Sequence, residues 1–84
     1  MIQFNGVLDD AALNEFAGMA ARRIAVARNH AKGMSWSVAR KLSLTVVADE
    51  GLKEMIRDQI ILGKHPKDAI HDVVNEILKG EKNG

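Results

Sequence analysis

Apolar residues recur at helical spacing through most of the chain. From Asp9 to Lys32, the residues Leu13, Phe16, Ala17, Ala20, Ile24, Ala27 and Ala31 fall three or four apart. That pattern predicts an amphipathic helix of about six turns. Asp9 or Asp10 is placed to cap its first turn, where a carboxylate accepts from free amides, and Gly33 to close its last. The small residues Ala12, Ala17, Gly18, Ala20 and Ala21 let another helix approach closely.

A second helical pattern follows Asp49, with Leu52, Met55, Ile56, Gln59 or Ile60 and Leu62 on its core face, and Gly63 ends it. A third starts at His65-Pro66, proline suiting a first helical turn. Its stripe is Ile70, Val73, Val74, Ile77 and Leu78, Gly80 closes it, and the tail Glu81–Gly84 is expected to be disordered.

Two stretches depart from this period. Met1–Val7 alternates loosely and reads as a short strand or an ordered arm. In the stretch after Met34, Ser35 or Ser37 is placed to cap a helix carrying Val38, Leu42 and Val46. Equally, Leu42, Leu44 and Val46 alternate with Lys41, Ser43 and Thr45, and the β-branched residues of Leu42–Val47 favour a strand. The expected fold is therefore mainly α, a single domain over 1–84. An arm and long helix occupy 1–33, and a strand followed by two helices occupies 40–80. A small all-α helical bundle is the alternative.

Composition sharpens this in two ways. A chain of 84 residues without cysteine is near the lower size for an unaided core, which favours a partner copy. Met1–Gly6 carries no charged leader region and the longest apolar run is far short of a membrane span, so a cytoplasmic protein is expected. The net charge of +1 hides a strong asymmetry. No acid lies between Glu15 and Asp49, where Arg22, Arg23, Arg28, Lys32, Arg40 and Lys41 all fall. Beyond Ala48 eight acids outnumber six bases. One side of the molecule is expected to be basic.

Catalytic chemistry finds no footing. His30, His65 and His71 share no metal-ligand spacing, the glycines are scattered rather than clustered, and Ser35, Ser37 and Ser43 have no base nearby in sequence. No enzyme, cofactor or metal is expected. Trp36 reads as a core or interface anchor, and Met19, Met34 and Met55 as core fillers.

The stretch RKLSLTV, then ADEGLKEMI, then GKHPKDAIHDVVNEIL resembles the ribbon-helix-helix DNA-binding proteins, which include repressors and the antitoxins of toxin–antitoxin pairs. The resemblance covers Arg40–Leu78, about half the chain. It implies a homodimer whose paired strands enter the major groove of double-stranded DNA. Arg40, Lys41, Ser43 and Thr45 would then contact DNA, and Leu44, Leu52, Ile56, Ile60, Val73 and Ile77 would build the dimer core. Amides around His65–Lys67 would hold a phosphate. The length and separate charge of the first helix make it an added module for oligomerisation or for a partner protein such as a toxin. A helix-turn-helix is the weaker nucleic-acid reading, because Asp49, Glu50 and Glu54 would face phosphates. The competing class is a non-enzymatic helical interaction module, an inhibitor or adaptor of phage or plasmid type. Its basic face of Arg22, Arg23, Arg28 and Lys32 would recognise an acidic protein.

Overall fold

The computed structural model describes residues 9–82, so the arm-or-strand expectation for Met1–Val7 lies outside the described residues. Four helices follow one another: α1 Asp10–Ala31, α2 Trp36–Ser43, α3 Glu50–Ile61 and α4 Pro66–Lys82. Among the described residues there is no strand. The strand at Leu42–Val47, and with it the ribbon-helix-helix fold, is therefore overturned, and the all-α bundle stands.

The reason lies in how the backbone of this stretch is satisfied. A lone strand leaves its polar edge unpaired, whereas a helix closes its own hydrogen bonds. The Ser35 hydroxyl accepts from the Val38 amide at 3.3 Å and starts α2. Ala39 and Ser43, one turn apart, are buried against α1. Those two small residues carry a helical period that outweighs the alternation of larger neighbours. The β-branched Thr45, Val46 and Val47 follow the helix as a connection, with Val46 packed against the core.

Sequence and structure agree that the other three helices exist and where they start, but Leu62, expected on the core face of α3, lies past its end and is 79% exposed. Asp9 caps α1 by accepting from Ala12 at 2.8 Å, and Asp49 caps α3 by accepting from Leu52 at 2.8 Å. Gly33 and Gly63 adopt φ of 104° and 106°, the left-handed region open to glycine. Each closes the same turn. Gly33 donates to His30 and Met34 to Asn29, just as Gly63 donates to Ile60 and Lys64 to Gln59. Each glycine is followed six residues later by a fully buried alanine, Ala39 or Ala69. The molecule is thus two helical hairpins built on one turn design.

Helix α4 runs past Gly80 to Lys82, and Arg28 Nε donates to Glu81 Oε1 at 2.7 Å. The expectation that the helix closes at Gly80 and that Glu81 begins a disordered tail is corrected accordingly.

The core lies where α1, α3 and α4 meet. It joins Leu13, Ala17, Ala20, Ala21 and Ile24 to Leu52, Ile56, Ile60, Ala69, Ile70, Val73 and Val74. Alanines at the contact let α1 sit close to its neighbours. Helix α2 packs against α1 alone, outside this three-helix core.

A surface ion pair ties the second turn to α4. The hydrogen bond from the Lys64 ammonium holds the Asp72 carboxyl below its ordinary value. A carboxyl depressed in the folded state adds stability above its unfolded pKa and loses it as pH falls through the folded one. Urea midpoints measured from neutral pH down through the carboxylate range should fall less for Asp72→Asn than for the natural chain. Equal falls would mean that Lys64 and Asp72 do not interact in solution.

Candidate functional site

On the side of α1 turned away from the core, Met19, Arg23 and Val26 recur at helical spacing. Helix α2 lies alongside and presents Trp36, Arg40 and Leu44, again one turn apart. Between the two helices runs an open groove of about 620 Å³, whose lining also includes Arg22, Ala27 and Ser43. Its apolar lining and few charged groups suit ligand contact. Trp36 is 50% exposed and Leu44 68% exposed, so large apolar surface here meets water.

Two local contacts set the groove wall. The Trp36 indole stacks on the His30 ring, with centroids 3.7 Å apart and planes 13° from parallel. His30 Nδ1 lies 3.0 Å from the Met34 carbonyl, which only accepts, so Nδ1 carries the proton in this contact. The stack therefore fixes the indole across the Gly33 turn. On the other wall, the Arg22 guanidinium folds back over Gly18. A methyl group there would come within 3.2 Å of Arg22 Nη1.

Electrostatics distinguishes this groove from its neighbour. Among the described residues, no carboxylate pairs with Arg22, Arg23 or Arg40; the ion pairs there are Arg28–Glu81, Lys53–Glu50 and Lys64–Asp72. A second groove of about 640 Å³ lies between the ends of α1 and α4, but Glu81 already occupies its arginine, Arg28. The α1–α2 groove combines apolar walls with three guanidinium groups that no carboxylate pairs among the described residues.

The residues expected to contact DNA do not share one surface. Arg40 borders the groove, whereas Lys41 projects from the side of α2 opposite the buried Ala39 and Ser43. Ser43 is buried; its hydroxyl donates to the Ala39 carbonyl at 2.7 Å and accepts from Asn29 at 3.3 Å. Thr45 lies exposed beyond the helix. Of the expected basic face, Arg22 and Arg23 line the groove, Arg28 pairs with Glu81, and Lys32 caps α1. At the start of α4 the Lys67 amide donates to His65 Nδ1 at 3.2 Å, and Pro66 has no amide to offer a phosphate.

The residues assigned to a dimer core are also redistributed. Leu52, Ile56, Ile60 and Val73 are buried within one chain, with Ile77 packed at their margin. Leu44 is exposed beside the groove. Met19 and Met55, expected as core fillers, are both exposed, and Met19 lines the groove. The acid-free stretch pointed toward this site, but its apolar lining was hidden by the strand reading.

Among the described residues, no three acidic or histidine side chains converge as a metal site, and no helix is long and apolar enough to cross a membrane. No protein-family model matches the chain, and neither a curated protein nor a solved structure does.

Proposed function

We propose that this chain is a non-enzymatic, cytoplasmic interaction module that binds an acidic protein segment in the groove between α1 and α2. The observation that carries the proposal is the set of unpaired guanidinium groups of Arg22, Arg23 and Arg40 around Met19, Val26, Trp36 and Leu44. An apolar floor rewards an apolar anchor, and a guanidinium rim rewards carboxylates, which it binds in bidentate fashion. An amphipathic helix with acidic flanks offers both, in the helix-in-groove mode. A DNA backbone satisfies the rim but offers nothing apolar to the floor.

The test is fluorescence anisotropy with a labelled peptide whose Leu and Trp side chains recur at helical spacing between glutamates. A scrambled peptide of the same composition and a DNA duplex serve as comparisons. The ordered peptide should bind best. Combined Arg22→Glu, Arg23→Glu and Arg40→Glu substitution should weaken it about a hundredfold or more, since each charged hydrogen bond contributes about 1.5–3 kcal/mol. Equal binding of the scrambled peptide, or tighter binding of the duplex at the same salt, would overturn the proposal.

A further inference from the structure

The outward face of α3 has the chemistry that the groove lacks. Glu54, Asp58 and Ile61 fall on one side of that helix, opposite Leu52, Ile56 and Ile60, which enter the core. Ile61 is 69% exposed and the adjoining Leu62 79% exposed, and both acids are exposed beside them. Among the described residues neither Glu54 nor Asp58 forms an ion pair. Arg57 is exposed at the margin of the same face and lines one pocket with Glu54. Two carboxylates against one guanidinium leave the face net acidic beside its apolar groups, the kind of surface argued above to fit the groove.

The two surfaces cannot meet within one molecule. Helix α1 packs Ala17, Ala21 and Ile24 into the core it shares with α3, and it lines the groove with Met19, Arg23 and Val26 from the opposite side. Two grooves facing each other would set guanidinium against guanidinium, which disfavours a two-fold pairing at this site. A groove facing the α3 surface of another molecule brings opposite charges and exposed apolar groups together.

We infer that the groove of one molecule receives the outward face of α3 from a second copy, joining molecules head to tail. This rests on the reading of the groove as a receptor for an acidic helix, and it names that helix. Because the two complementary surfaces lie on opposite sides, each molecule retains one free surface of each kind. The contact is heterologous and propagates to a ring or a filament.

Reciprocal charge reversal tests this with the full chain. One variant carries Arg23→Glu and Arg40→Glu, the other Glu54→Lys and Asp58→Lys; all four side chains are exposed. Thermal melts followed by circular dichroism establish that both fold. Light scattering should show that the natural chain gains mass with concentration and loses it with salt. Each variant alone should associate about a hundredfold more weakly or worse, since like-charge contacts cost several kcal/mol. Mixing the two should restore association, because the reversed groove then meets the reversed helix.

A natural chain that stays monomeric to millimolar concentration overturns the inference. So does a variant that associates like the natural chain, or a mixture that fails to recover. A monomeric chain that still binds the acidic peptide overturns self-assembly and leaves the groove reading intact. A chain that associates while ignoring both the peptide and the arginine reversals overturns both.

Discussion

Ile56→Ala should lower the stability of the folded chain by about 2–5 kcal/mol. Ile56 has no exposed surface and is among the largest fully buried side chains among the described residues. It sits one turn from both Leu52 and Ile60, at the centre of the face that α3 turns to the core. Five of the thirteen buried apolar residues described are alanines, so few large groups carry the burial. Neighbouring helices cannot collapse readily into the space a lost isoleucine leaves, because alanines already bring them close. A chain of this length has about 4–13 kcal/mol of total stability, so the substitution removes a large fraction of it.

The measurement is urea unfolding followed by far-ultraviolet circular dichroism, with Ile61→Ala on the same helix as the comparison. Ile61 faces solvent in the single chain, and at a protein concentration too low for copies to associate its truncation should change stability by about 0.5 kcal/mol or less. A loss below about 1 kcal/mol for Ile56→Ala would mean that α3 does not hold this face in the core.

These assignments were legible in the chain for α1, α3 and α4. Their caps, Asp9, Asp49, Gly33 and Gly63, act locally, and the apolar stripes run long enough to fix a period. Helix α2 was not legible in the same way. Its buried side is Ala39 and Ser43, which carry little hydrophobic signal, while Trp36, Val38 and Leu42 lie exposed. The strong apolar letters therefore marked the wrong face, and the alternation of Leu42, Leu44 and Val46 read as a strand.

A positional signal was available. The alanine six residues after Gly33 has its counterpart six residues after Gly63, where the following helix was recognised. Two occurrences of one turn would have favoured a second hairpin. At the C-terminal end Gly80 read as a stop, yet the helix continues and pairs Glu81 with an arginine distant in sequence. Tertiary contact outweighed a modest local preference there.

The site was half legible. An acid-free stretch with six bases marked a basic side before any fold was known. What turned that charge into a recognition site is the apolar lining. It needs Met19 outside the core and Leu44 exposed beside α1, and both depend on α2 being a helix packed on α1. The His30–Trp36 stack likewise follows only once the Gly33 turn brings the two rings together.

Trp36→Ala should weaken acidic-peptide binding by about 2–4 kcal/mol, or roughly thirtyfold to a thousandfold, while leaving the fold largely intact. Trp36 is half exposed and its described ring contact is with His30, so the folded chain loses about 0.5–1.5 kcal/mol with it. The same indole lines the groove together with Arg40 and Met19. A rigid aromatic group beside a guanidinium rim has the character of a binding hot spot.

Binding and stability thus separate in opposite ways at two positions: Ile56 matters to the fold and Trp36 to the ligand. Trp36→Phe should recover part of the affinity because it keeps an apolar ring able to stack on His30. His30→Ala should give a smaller loss than Trp36→Ala, since it removes the backing but not the contact surface. Trp36 is the sole tryptophan, so its emission reports directly on whether the groove is filled. Burial by the peptide should shift that emission to shorter wavelength. Unchanged affinity in Trp36→Ala, with no emission shift in the natural chain, would place the bound peptide outside this groove.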